Sequence, residues 1–145
     1  MELTQVQGFV ISLLALQIFI KITAWYDGTT IKRNEEKRIN YKPNYGARYL
    51  YRGAFAILQS WAVFMTIGTP DLYKFAWYVV FQLAWYWSIF DIEVNLFRGK
   101  KGFYMGQTAF IDKIFFYWTP KGHDLKIKLA IQSIILWISL GEVLK

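Results

Sequence analysis

Four apolar blocks, separated by polar gaps of uneven charge, constrain this chain more than any motif in it. Residues 3–20, 53–67, 72–92 and 129–144 are dominated by aliphatic and aromatic side chains. Each block approaches the ~20 residues needed to cross a hydrocarbon layer ~30 Å thick. Of the 17 basic residues, seven fall in 27–52 and seven in 98–128, which are the first and third gaps. A chain that crosses a bilayer four times brings those two connections to one side, and cytoplasmic loops carry the excess of Lys and Arg. The pattern predicts an all-α integral membrane protein with four transmembrane helices and both termini outside, in a bacterial inner membrane or a phage or viral membrane.

Composition agrees with that class. At 145 residues, 55% hydrophobic and 20% aromatic, the chain is too apolar for an ordinary soluble domain of its size, and it reads as one membrane domain. The first block is not read as a secretory signal, because it opens Met1-Glu2-Leu3, carries its positive charge after the apolar run and shows no small-residue cleavage site. Lys21 can snorkel from the end of that block, with Trp25 and Tyr26 as interface anchors. The absence of cysteine removes disulfides, thiolate nucleophiles and Cys-based metal sites together.

Local signals set the connections. Gly68-Thr69-Pro70-Asp71 reads as a compact turn with Asp71 capping the helix that follows. Arg98-Gly99-Lys100 reads as a helix end and a basic turn. From Thr108 as N-cap, Phe110, Ile111, Ile114, Phe115, Tyr117 and Trp118 form a broad apolar face with Asp112 and Lys113 opposite. That pattern predicts a cytoplasmic interfacial amphipathic helix over 107–118, before the last span. A re-entrant segment is the competing reading.

The basic stretch 27–52 balances seven basic against three acidic residues, a net +4, and reads as a solvated loop on anionic headgroups. Lys32, Arg33, Lys37, Arg38, Arg48 and Arg52, together with Arg98, Lys100 and Lys101, are its expected lipid contacts. Interleaved Tyr41, Tyr45, Tyr49 and Tyr51 also suit base stacking. Tyrosines beside arginines just before a membrane helix equally make an aromatic belt, so nucleic acid is not an expected partner.

Polar residues at membrane depth point to function because each is costly unless paired. Ala84, Ser88, Asp91, Asn95 and Arg98 recur every three or four residues and share one face of the third helix. That stripe is either a packing surface or an ion site, with Glu93 and Asp124 as possible acidic partners and His123 beside them. Gln17, Gln59, Ser60, Gln82, Gln132 and Ser133 are spread one or two to a helix, which suits interhelical hydrogen bonds better than a conduction path. No catalytic motif, nucleotide-binding loop or metal-ligand spacing is present, and no cofactor is expected.

The function expected from these features is that of a non-enzymatic structural or accessory membrane protein, binding lipid and either another membrane protein or further copies of itself. A phage or viral membrane protein, part of a lipid-containing particle or a holin-like lesion former, is the first alternative. A small membrane enzyme or cation-coupled transporter working through Asp91 and Glu93 is the second.

Overall fold

The structure, a computed structural model, describes residues 5–39, 45–67, 71–102, 114, 117–118 and 123–144. Among the described residues the chain is all-α, with four helices and no strand: α1 (Gln5–Glu36), α2 (Tyr45–Ile67), α3 (Leu72–Phe97) and α4 (Asp124–Leu144). The turn residues 68–70 lie outside the described residues, as does most of the interfacial helix expected over 107–118.

The helix ends follow local chemistry. Asp71 caps α3 by accepting hydrogen bonds from the backbone N–H groups of Tyr73 and Lys74, so the turn signal in the sequence sets the start of the helix. At the other end Gly99 adopts φ +73°. The Gly99 N–H donates to Leu96 O and the Lys100 N–H to Asn95 O, both at 2.9 Å, the reciprocal pair that closes a Schellman turn. The end of α1 repeats this pattern without a glycine. Arg38 takes φ 54°, while Arg38 N donates to Glu35 O and Ile39 N to Asn34 O.

Helix α1 has 32 residues and continues well past Ile20, where the first apolar block closes. The stretch 27–52 is therefore not a single loop, since 27–36 complete α1 and 45–52 open α2. The physical reason is that a change from apolar to charged side chains marks a change of solvent, not the end of a helix. No proline lies between Ile20 and Glu36, and Asp27 and Gly28 are buried against α2 and α3, so tertiary packing carries the helix on.

Contacts between side chains give the topology. Asp27 meets Arg52 and Ser12 meets Gln59, so α1 and α2 are antiparallel. Ser12 meets Gln82 and Thr23 meets Tyr86, so α1 and α3 run parallel. Asp91 meets Lys128 and Tyr73 meets Glu142, so α4 returns antiparallel to α3. The helices alternate in direction, and α3 packs against each of the other three. The described parts of both basic stretches therefore meet at one end of the bundle, with Lys74 at the other.

The α1–α3 seam has a simple register. Ser12, Leu16, Ile20, Ala24 and Gly28 follow at intervals of four along α1, and all are buried. They face Tyr78, Gln82, Tyr86, Phe90 and Val94, buried at the same interval along α3. Each helix thus presents its i, i+4 ridge to the other. Leu16, Ile20, Ala24, Tyr86, Phe90 and Val94 form the apolar core of the seam, and Phe19 stacks on Phe55 of α2 at 3.8 Å between ring centres.

Polar and apolar side chains are mixed in the interior. Among the described residues, nine polar or charged side chains are buried against ten apolar ones. Large apolar side chains meanwhile cover the outside of every helix: Leu14 and Ile18 on α1, Leu58 and Met65 on α2, Leu72 and Leu83 on α3, Ile134 and Trp137 on α4. By length and hydropathy one helix among the described residues, Gln7–Glu36, in which an 18-residue window has a mean hydropathy of 1.8, qualifies as a candidate membrane span.

Candidate functional site

The basic end of the bundle holds the densest set of buried charges, arranged as three ion-paired connections. Asp27, at the inner face of α1, is 2% exposed. Its Oδ2 accepts from Arg52 Nη2 at 2.6 Å and pairs with Arg48 Nη1 at 2.9 Å. The two arginines lie four residues apart on α2, one helical turn, so both reach the same carboxylate. The Arg52 guanidinium also lies over the Phe90 ring at 3.9 Å and near Tyr86 at 5.4 Å, a cation–π platform supplied by α3. The cluster consequently ties three helices at one point. Asp27 Oδ1 and Arg52 Nε, one acceptor and one donor, are both buried without a hydrogen-bond partner.

The second connection joins α3 to α4. Lys128, 5% exposed, donates to Asp91 Oδ2 at 2.6 Å and lies 5.9 Å from the centre of the Trp87 ring. The third links the ends of α1 and α3, where Arg98 donates to Glu35 at 2.5 Å and Lys100 approaches the same oxygen at 3.7 Å. Glu35 is half exposed, so this last set is worth little beside the buried Asp27 cluster.

The polar stripe of α3 keeps its shared face, but its members serve different neighbours. Ser88 donates back to Ala84 O within its own helix. Asp91 takes Lys128, buried Asn95 donates to Gly102 O at 3.1 Å, and Arg98 takes Glu35. Glu93 is half buried on α3, and His123 is exposed at the start of α4; the side chain of Asp124 lies outside the described residues. Among the described residues no three His, Asp or Glu side chains are grouped as metal ligands. Of the expected headgroup contacts, Lys32, Arg33, Lys37, Arg38 and Lys101 are exposed and Lys100 is half buried. Arg48, Arg52 and Arg98 are instead engaged with acidic partners from α1.

Nearer the opposite end, a polar layer joins α1, α2 and α3. Ser12 Oγ accepts from Gln82 Nε2 at 2.5 Å and from Gln59 Nε2 at 3.0 Å, and the Gln59 amide also donates to the Ser12 carbonyl. Gln82 is fully buried, so Ser12→Ala strands its amide, whereas Ser60→Ala removes only a hydroxyl that donates to Ala56 O in its own helix. Ser12→Ala is expected to lower stability by about 1–2 kcal/mol and Ser60→Ala by less than about 0.5 kcal/mol, read from unfolding midpoints in detergent. Equal effects would remove Ser12 as the joint. Elsewhere Trp85 Nε1 donates to Gln17, Gln132 is buried on α4, and Ser133 is exposed.

From the sequence, Arg48 and Arg52 fall among the expected lipid contacts and Asp27 is one of three acids in a basic stretch. The available signal was the pairing of two arginines one turn apart with an acid close to the end of an apolar block. Comparison with protein families, characterised proteins and solved structures returns no match to this chain.

Proposed function

We propose that the chain is a four-span integral membrane protein with its basic end in the cytoplasm, acting as a non-enzymatic structural or accessory component that holds lipid and a membrane-protein partner. The observation that carries this reading is the apolar exterior of the bundle, with large aliphatic side chains outside on all four helices and buried Ser, Gln, Asn and ion pairs sharing the interior with the apolar core. In water such a surface is an aggregation hazard; in hydrocarbon it is the required one. At ~1.5 Å per residue, α2, α3 and α4, with 23, 26 and 21 residues, are each long enough for a ~30 Å layer. Their hydropathy is diluted by Trp and Tyr, which favour membrane interfaces. Exposed Trp25, Tyr26, Tyr49 and Tyr51 ring the basic end, and Trp61, Tyr73 and Trp137 lie toward the other.

The enzyme or transporter alternative draws on Asp91, which is engaged with buried Lys128, and on no assembled metal-binding group among the described residues. The accessory reading needs neither.

Because the chain has no cysteine, single cysteines report topology without background. Lys37→Cys and Lys101→Cys should react with an impermeant maleimide only after the membrane is permeabilised, and Leu72→Cys should react from outside. The chain should also stay with the membrane through alkaline carbonate. Release by carbonate, or opposite accessibility of positions 37 and 101, would sink the four-span reading.

A further inference from the structure

We infer that the outward face of α1 docks one transmembrane helix of the membrane-protein partner, and that Lys21 sets its register by pairing with an Asp or Glu of that helix at the same depth; this rests on the membrane reading above. Helix α1 turns Ser12, Leu16, Ile20, Ala24 and Gly28 to α3 and Phe19 to α2. A second stripe, Ile11, Leu14, Ile18, Lys21 and Trp25, recurs at intervals of three and four, the spacing that one helix presents to a single neighbouring helix. Its four apolar members are each more than half exposed, and Lys21 is exposed with them, so the described helices leave the stripe uncovered. A single cation in such a seam fixes the register, because only one alignment of the two helices gives it a counter-charge.

Depth and charge identify the partner. Lys21 precedes the buried Asp27 cluster by ~9 Å along the helix, and it lies about one turn to the hydrocarbon side of Trp25 and Tyr26, side chains that partition to the headgroup layer. Reaching a phosphate from there works against the helix, because Cα–Cβ bonds tilt toward the N-terminus, which for α1 is the end away from the basic layer. Among the described residues Lys21 takes part in no ion pair. A lone ammonium facing hydrocarbon is costly, as is a lone carboxylate on another helix, and pairing at one depth relieves both. A second copy of this chain supplies no such carboxylate. Twofold pairing about the membrane normal sets Lys21 against Lys21. No described acid shares its level either: Gln17 and Thr23 meet Trp85 and Tyr86 of α3, whereas Asp91 and Glu93 lie nearer the basic end and Glu142 meets Tyr73 toward the other.

The test places the full chain, once its resistance to carbonate extraction is established, in phosphatidylcholine vesicles with synthetic leucine–alanine helices of ~23 residues that carry Asp, Leu or Lys at the depth of Lys21. Association is read by resonance energy transfer from a donor on Lys37→Cys to an acceptor on the peptide. The Asp peptide should bind about tenfold more tightly than the Leu peptide, and the Lys peptide more weakly than either. Lys21→Leu should erase the preference, and Lys21→Asp should transfer it to the Lys peptide, a reversal that misfolding does not produce. Lys32→Gln, at an exposed position beyond the aromatic pair, should leave it unchanged. Equal binding of the three peptides, or a preference that survives in Lys21→Leu, would overturn the inference. Loss of the preference on adding phosphatidylglycerol would make a lipid phosphate the partner of Lys21 and overturn it too, as would self-association of the chain that excludes the Asp peptide. A carbonate-resistant chain without the preference defeats this inference alone, while a carbonate-soluble one defeats the membrane reading first.

Discussion

Asp27→Ala should cost about 3–5 kcal/mol of stability, the penalty of removing one partner from a buried ion pair and leaving the other charge uncompensated. The group left behind is chiefly Arg52, which is 8% exposed and stands on the Phe90 ring, so it cannot turn out to solvent without unpacking α2 from α3. Arg48 is partly buried, with its side chain 12% exposed. In an Asp27→Leu background, Arg52→Met should therefore recover part of the loss, because two apolar side chains of similar volume then replace the Asp27–Arg52 pair, with Arg48 the charge that remains. Arg48→Gln in the same background should recover little. The control is half-buried Lys100→Ala, which removes a 3.7 Å approach to half-exposed Glu35 and should change stability by less than about 0.5 kcal/mol. Unfolding in mixed micelles, followed by the fluorescence of the seven tryptophans, reads all of these. A loss below about 1 kcal/mol for Asp27→Ala would show that the cluster is solvated and does not bear on the fold.

What the sequence displays and what it hides divide along the range of the interactions. The cap at Asp71 and the turn at Gly99 are visible because their partners lie within a few residues, and short-range hydrogen bonds repeat the same geometry wherever they occur. The stripe of Ser88, Asp91, Asn95 and Arg98 is visible as a face because helical periodicity is a local property. Its partners, Lys128, Gly102 and Glu35, come from other elements or turns, and no spacing within α3 points to them. Asp27 is the plainest case. In the sequence it is one of three acids in a basic stretch, and only the antiparallel return of α2, 25 residues later, turns it into the shared partner of two arginines. The extent of α1 is hidden for another reason: the apolar run stops near Ile20, whereas the helix continues because Asp27 and Gly28 pack against α2 and α3. Ser12, Ala24 and Gly28 fall at multiples of four along α1, and only their burial marks that spacing as the seam closed on α3.

Gly28 gives that seam its most exposed test, through the sign of a substitution as well as its size. Replacing glycine by alanine inside a helix ordinarily stabilises by about 0.5–1 kcal/mol, since alanine has less backbone freedom to lose. Gly53→Ala on α2 should do so, because nothing lies within 4 Å of its added methyl. At Gly28 the same methyl would stand 2.6 Å from Phe97 Cβ and 2.9 Å from the Val94 carbonyl oxygen. Neither atom belongs to a flexible side-chain end, and the Val94 oxygen already accepts from Arg98 N at the close of α3. The helices must separate locally, so Gly28→Ala should destabilise by about 1–3 kcal/mol and Gly28→Leu by more. Phe97→Ala should not rescue either variant, because the Cβ in conflict remains in alanine. Separation also draws Glu35 away from Arg98, two turns further along the same interface, so the loss should be accompanied by fraying of the α1 end, read as faster amide exchange over 31–36. If Gly28→Ala stabilised the chain as Gly53→Ala is expected to, α1 and α3 would not be in contact at this level, and the parallel seam on which the buried Asp27 cluster depends would have to be redrawn.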